Sequence, residues 1–409
     1  VYFQKLLSDT LEVSFCDVAV INSCTVTGTG DKKTKQLIRK LKRDNQNIII
    51  ALTGCFPQAF PQEAENFTYA DVITGSYNRT SLCTNVLKFI ETKQRIVDIT
   101  PHKQGESFEK MKVSNFSEKT RAFVKIQDGC DRFCSYCIIP YARGFLRSKT
   151  IEDIKSEILS LVENGYKEIV LVGINLSKYG IDINYCLNDA VKAVCEFKDI
   201  IRVRLGSLEP DLLDENTIEN LSKNHKLCPQ FHLSLQSGCD ETLKRMNRHY
   251  NTHDYEYIVS LFRKYFKNPS ITTDVMTGFA GETEEEFNKS LTFVKKINFS
   301  KVHVFSYSIR QGTLAAKMPN QIDNNIKKLR SEQMIFSTEK IRENILNKKI
   351  GQVVTILCET FKNGIISGYT KDYTPCFFKH NESLKNNLVE VKIVEIKNLT
   401  CYCQLINVL

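Results

Sequence analysis

Over the first hundred positions, short apolar runs rich in β-branched residues alternate with helical stretches. Asp17–Asn22 (DVAVIN) and Asn47–Leu52 (NIIIAL) read as strands on either side of a helical segment. Asp71–Thr74 reads as a further strand and Thr80–Glu91 as a second helix, so 1–100 is expected to be a small α/β domain. Residues 101–119 are polar and aperiodic and read as a linker. From 120 to 348 strands and helices alternate. The expected strands are Ala122–Ile126, Glu168–Gly173, Arg202–Gly206, Gln230–Leu235, Ile271–Thr277 and Val302–Tyr307. Thr150 opens one of the helices, with Asp153 in the capping position, Ile154, Ile158 and Val162 on one face, and Gly165 as the stop. Thr283 and Glu286 make a second capping box. Such repeats imply a parallel sheet, doubly wound or curved into a partial barrel, with active residues at the C-terminal strand ends. From 349 to 409 short β-rich runs alternate with Lys, Asn and Gly turns, which predicts a small all-β barrel.

Composition narrows the classes. The 409 residues are 42% hydrophobic and 25% charged, ordinary for a globular chain of two or three domains. No apolar run approaches the roughly eighteen residues of a membrane span, and the first ten residues lack a signal-peptide layout, so a cytoplasmic protein is expected. The formal charge of +9 is uneven: Lys32, Lys33, Lys35, Arg39, Lys40, Lys42 and Arg43 crowd between Asp31 and Asp44. That segment is either a solvated helix face or a phosphate-contacting patch. Fifteen cysteines without an export signal point to metal or redox chemistry. Cys186, Cys195, Cys228, Cys239, Cys358, Cys376, Cys401 and Cys403 read as small core hydrophobes.

Cys130, Cys134 and Cys137 form a C-x3-C-x2-C just after the first strand of the alternating region. Three thiolates so close can hold three irons of a 4Fe–4S cube and leave the fourth open to a chelating ligand. A zinc site would need a fourth ligand, for which Asp131 and His102 are the nearest candidates. The loop Lys125–Gly144, KIQDGCDRFCSYCIIPYARG, resembles the radical S-adenosylmethionine methylthiotransferases. The likeness continues through EIVLVG (Glu168–Gly173), RLGSLEP (Arg204–Pro210), HLSLQSG (His232–Gly238), TDVMTGFAGET (Thr273–Thr283) and HVFSYSIRQGT (His303–Thr313). The resemblance implies three domains: an N-terminal methylthiotransferase domain, a partial (β/α)6 barrel, and a TRAM-like RNA-binding barrel with its turn at Gly368-Tyr369-Thr370.

It also implies two 4Fe–4S clusters, one on Cys130, Cys134 and Cys137 and one in the N-terminal domain. Cys24 and Cys55 match two ligands of the second cluster. The third, in a Gly-Cys-Lys-x-Asn motif, is expected upstream of Val1, with Cys16 and Cys83 as unmatched spares. The N-terminal cluster is therefore expected to be incomplete in the chain as given. The implied chemistry is one-electron cleavage of S-adenosylmethionine to a 5′-deoxyadenosyl radical, hydrogen abstraction from carbon, and transfer of a methylthio group, with an electron donor such as flavodoxin or ferredoxin. The positions resembling cofactor contacts are Tyr136, Gly173, Asn175, Glu209, Gln236 and Asp274.

Three branches of the family compete: threonylcarbamoyl-adenosine in tRNA, isopentenyl-adenosine in tRNA, and an aspartate of a ribosomal protein. CTVTGTGDKK (Cys24–Lys33) and CIIPYARG (Cys137–Gly144) resemble the first branch, and the basic segment suits an RNA substrate. The lack of an apolar anchor segment favours its bacterial form over the membrane-anchored animal form. An iron–sulfur RNA-binding protein without activity is the non-enzyme alternative.

Overall fold

The computed structural model describes residues 18–77, 79–111 and 120–409. They divide into two units. The first joins the chain up to Val113 with Asp128–Arg147 and Ser308–Met318; the second holds Ser114–Gln127, Ser148–Tyr307 and Pro319–Leu409.

In the first unit β1 (Val18–Ser23), β2 (Ile49–Gly54), β3 (Val72–Thr74) and β4 (Ile96–Asp98) make a parallel sheet in chain order. Strand β2 is buried along nearly its whole length, as expected of a central parallel strand. Between β1 and β2 runs α1 (Gly28–Asp44), capped by the Thr27 side chain, which accepts from the Gly30 amide at 3.2 Å. Asp31 in its first turn and Lys42 and Arg43 in its last complement the helix dipole. The helix α2 (Cys55–Ala59) follows β2 directly, and α3 (Ser81–Thr92) follows β3. A short helix, α4 (Ile139–Arg143), belongs to the inserted segment. Residues 112–119 of the expected linker lie outside the described residues. Its earlier part is tied down: His102 Nδ1 and Arg147 Nη1 reach Glu106 at 2.9 and 3.1 Å, and Arg79 pairs with Glu109 at 2.7 Å.

In the second unit β5 (Arg121–Lys125), β6 (Glu168–Val172) and β7 (Arg202–Leu205) pair in parallel. Then β8 (Ser207–Leu208), β9 (Gln230–Leu233), β10 (Ser270–Thr277) and β11 (Lys301–Ser306) pair likewise, in chain order. Helices α5 (Ile151–Glu163), α6 (Leu187–Cys195), α7 (Glu215–Ser222), α8 (Thr252–Tyr265) and α9 (Glu284–Ile297) fall between the strands and bury one large apolar core against them. The Thr150 hydroxyl accepts from the Asp153 amide at 3.2 Å, as the spacing predicted. Leu161 joins Ile154 and Ile158 in the core and Val162, half-buried, packs against it, since position i+7 centres on that face and i+8 falls at its margin. At α9 the capping box of Thr283 and Glu286 is complete. Thr283→Ala should lower stability by about 1 kcal/mol, read by urea unfolding; an unchanged midpoint would show that the box contributes nothing there.

The helix α10 (Asn324–Asn347) was not singled out by periodicity, because its buried side includes Lys327, Arg330 and Thr338. Arg330 satisfies the buried Glu282 carboxylate at 2.8 Å. After it, β12 (Val353–Lys362), β13 (Ile365–Thr370), β14 (Pro375–Lys379), β15 (Leu388–Lys397) and β16 (Thr400–Val408) close into a barrel of order β12-β13-β14-β16-β15. Its core contains Cys358, Cys376 and Cys401, all fully buried.

Within this unit the barrel meets β5–β7 at a buried ionic joint. Glu168 takes Arg204 Nε at 2.7 Å, with Arg202 at 3.6 Å and Arg121 at 3.8 Å. The two arginines on β7 also donate to barrel carbonyls: Arg202 to Tyr369 and Thr355, and Arg204 to Thr370 and Lys371. Arg121 pairs with Glu359 at 2.9 Å and lies over the stacked rings of Tyr369 and Tyr373. Gly368-Tyr369-Thr370 thus sits at the joint, at the end of β13. A Cβ on Gly368 would fall 2.2 Å from the Leu357 carbonyl oxygen, so the close approach of β12 requires glycine there.

Candidate active site

The register of β1 on β2 pairs Ser23 with Gly54, so Cys24 and Cys55 leave adjacent strand ends side by side. The approach is tight. Gly54 has φ +102, and a Cβ there would come within 2.5 Å of Asn22 Oδ1 and the Ser23 carbonyl oxygen. Cys24 is exposed and Cys55 half-buried at the start of α2. Burial pushes the Cys55 thiol up, and the Arg143 guanidinium, which also donates a hydrogen bond to it, opposes this. Cys83 packs in the core of the first unit beside Leu82 and Val86, and burial pushes its thiol up; this is a structural cysteine. Cys16 lies outside the described residues.

The loop with Cys130, Cys134 and Cys137 belongs to the same unit. The Cys130 amide donates to the Gly144 carbonyl at 3.0 Å and the Cys137 amide to Cys134 at 2.9 Å, so the loop closes on itself twice. All three cysteines are half-buried, as is Tyr136. Just before the loop, the buried Asp128 takes a two-pronged ion pair from Arg143, at 2.8 Å from Nε and 2.5 Å from Nη2. Gly129 adopts φ +77, and a Cβ there would lie 1.8 Å from the Phe145 carbonyl oxygen. Gly129→Ala should therefore open the loop and cost the reconstituted protein about four irons, one cube's worth. Iron and sulfide counting checks this, and full iron content in the variant would refute it. Among the described residues no three His, Cys, Asp or Glu side chains converge on a point suited to a single ion. His102 contacts Ser76 and Glu106 instead.

The other expected contact positions lie in the second unit: Gly173, Asn175, Glu209 and Gln236 follow C-terminal strand ends, whereas Asp274 sits within β10 rather than at its end. Gly173 follows β6, where a Cβ would come 2.9 Å from the Gln127 side chain, and Gln127 Oε1 accepts from the Asn175 amide at 2.7 Å. Asn175 is 2% exposed, and neither its Oδ1 nor its Nδ2 has a partner among the described residues. The Gln236 Oε1 is likewise buried without one, on a residue held at φ +68. Orphaned buried amides are costly and suit a polar ligand. Glu209 Oε2 is engaged by Arg248, which also donates to the Tyr250 hydroxyl at 3.0 Å. Asp274 pairs with His232 Nε2 at 3.2 Å, while His232 Nδ1 meets Thr272 Oγ1 at 3.0 Å. Burial pushes the nearby His303 imidazole down, with Lys301 adding to the effect. Sequence reasoning missed Asp128, Arg143, Arg248 and His232. Only the charged residues inside otherwise apolar or cysteine-bearing runs hinted at them.

Residues 124–294 match the Radical SAM superfamily model, and residues 5–75 match the Uncharacterized protein family UPF0004. The threonylcarbamoyladenosine tRNA methylthiotransferase MtaB of Bacillus subtilis is 36% identical over 93% of this chain and 86% of its own length. A Clostridium botulinum tRNA-2-methylthio-N(6)-dimethylallyladenosine synthase is 34% identical over 96% of this chain and 89% of its own. Among solved structures, the radical S-adenosylmethionine methyltransferase TsrM of Kitasatospora setae superposes with a TM-score of 0.55 at 14% identity. The match covers 74% of this chain and 64% of that one, a likeness of fold. With near full-length relatives at this identity, the chain belongs to the radical S-adenosylmethionine methylthiotransferases.

Proposed function

We propose that the chain is a tRNA methylthiotransferase that modifies C2 of N6-threonylcarbamoyladenosine next to the anticodon. The carrying observation is the 36% identity to enzymes of that name across nearly the whole chain. Cys130, Cys134 and Cys137 would hold a 4Fe–4S cluster, which with S-adenosylmethionine supplies one-electron cleavage to a carbon-centred radical. Asn175 and Gln236 offer their unpartnered amide atoms to the polar part of that cofactor, with Tyr136, Gly173, Glu209 and Asp274 as further contacts. Arg248 holds the Glu209 carboxylate in place and His232 does the same for Asp274. Cys24 and Cys55 would contribute two ligands to a second cluster. A low-potential donor such as flavodoxin or ferredoxin completes the electron path.

Dimethylallyl-adenosine is the second reading, favoured by relatives of that specificity at 34% identity. Assay of the reconstituted enzyme on anticodon stem-loops carrying each modification, read by nucleoside mass spectrometry, tests both. Product only from the dimethylallyl substrate would overturn the first reading.

The tRNA reading makes a sharper demand on α1. Lys35 is tied to Glu63 and Lys42 to Asp71, whereas Lys32, Lys33, Lys40 and Arg43 are exposed. Reversing the charge of those four should weaken tRNA binding and flatten its salt dependence by about three to four ions, since each phosphate contact releases about one. An unchanged slope in a salt titration would reject α1 as the contact and return it to a solvated face.

A further inference from the structure

The short segment Ser308–Met318 folds with the first unit, between the two cysteine sites. At one end Arg310, 6% exposed, reaches Asp31 Oδ2 at 2.5 Å and also contacts the Thr25 hydroxyl. Thr25 is the neighbour of Cys24, is fully buried, and itself donates to Asp31 Oδ1 at 2.8 Å. The Arg310 guanidinium lies 4.3 Å from the ring centroid of Phe60, which follows α2 at the end opposite Cys55. Thr313 bends the segment by donating its hydroxyl to the Arg310 carbonyl at 2.7 Å. Gly312 comes to rest near Ile138, the residue after Cys137. At the other end the Ala315 amide donates to the carbonyl of Ser135, between Cys134 and Cys137, at 2.7 Å. One short stretch therefore grips both cysteine-bearing turns through buried contacts.

We propose that Ser308–Met318 is a spacer that sets the separation between the Cys24/Cys55 turn and the Cys130–Cys137 loop, with Arg310 as its positioning residue. The idea rests on reading Cys24 and Cys55 as ligands of a second cluster. In that reading the sulfur donor and the carbon radical arise at different places. Their separation then governs transfer but not S-adenosylmethionine cleavage. A misplacement of about 1 Å can cost on the order of a hundredfold in such a step. The buried, bifurcated anchor of Arg310 suits that demand better than a mobile lysine would.

The test uses the full chain with Arg310→Gln, Arg310→Lys and the milder Thr313→Val. Hydrogen exchange on the metal-free protein should show faster exchange in Arg310→Gln at both 24–31 and 130–137, with a smaller effect in Thr313→Val. In the enzyme reconstituted with a third N-terminal thiolate supplied, the ratio of 5′-deoxyadenosine to methylthiolated tRNA should rise by about tenfold or more in Arg310→Gln. 5′-Deoxyadenosine formation itself should stay near wild type, and Arg310→Lys should fall between the two. Faster exchange confined to 24–31, or an unchanged ratio in both Arg310→Gln and Thr313→Val, would overturn the spacer. An iron count that stays at one cube with a third N-terminal thiolate supplied, and that Cys24→Ala and Cys55→Ala leave unchanged, would instead remove the two-cluster reading. The exchange arm would still report on the contacts.

Discussion

Replacing Cys130, Cys134 and Cys137 together by alanine should reduce 5′-deoxyadenosine formation under anaerobic, reducing conditions to background. No side-chain acid or base in the protein can substitute for one-electron cleavage of a sulfonium, so the loss is expected to be complete rather than partial. The folded state should survive, because closing contacts of the loop run through backbone amides at Cys130 and Cys137 and through the Asp128–Arg143 pair, which the substitutions leave in place. Circular dichroism and thermal unfolding of the triple variant separate the two effects. Residual 5′-deoxyadenosine above the no-protein control would mean that the radical reading of this loop is wrong.

Glu168→Gln is expected to be the most damaging single substitution for stability. Glu168 is 1% exposed and is the shared counter-charge for Arg202 and Arg204, themselves 1% and 2% exposed. Removing it leaves buried guanidinium groups without compensation, at a cost of about 3–5 kcal/mol. Because both arginines also hold carbonyls of the β-barrel, the loss should loosen the barrel from β5–β7. Protease cleavage between α10 and β12 should appear before global unfolding. The exposed Lys155–Glu196 pair, 2.6 Å apart, is the control, and its removal should change stability by less than about 1 kcal/mol. Equal effects at the two sites in urea unfolding would refute the argument.

The strands Ile49–Gly54 and Glu168–Val172 were legible because burial on both faces leaves a continuous apolar run that polar helices cannot imitate. The helix boundaries at Thr150 and Thr283 were legible for a different reason: a capping side chain acts locally, and so leaves its mark in local sequence. The short strands Ile96–Asp98 and Ser207–Leu208 were not, since pairing of two or three residues is decided by neighbours far along the chain. The candidate site divides in the same way. The cysteines announce themselves by spacing, whereas Arg143, Arg248 and Arg310 owe their positions to partners up to 285 residues away. The basic segment of α1 shows the limit of composition: seven cations look alike in sequence, yet Lys35 and Lys42 are committed to Glu63 and Asp71.

The Arg310–Thr25 contact joins residues 285 positions apart, which has a consequence for how the protein is made. At synthesis rates of about 5–20 residues per second, Thr25 and Asp31 leave the ribosome roughly 15–60 s before Arg310 exists. During that interval the carboxylate of Asp31 lacks the cation that permits its burial, and the turn bearing Cys24 lacks its brace. The N-terminal sheet can form early, but the thiols around it reach their final arrangement only when three quarters of the chain has been translated. Bracing of the Cys24 turn is therefore a late event in the folding of this polypeptide, and nascent chains stalled before Arg310 should exchange the amides of 24–31 faster than finished molecules do.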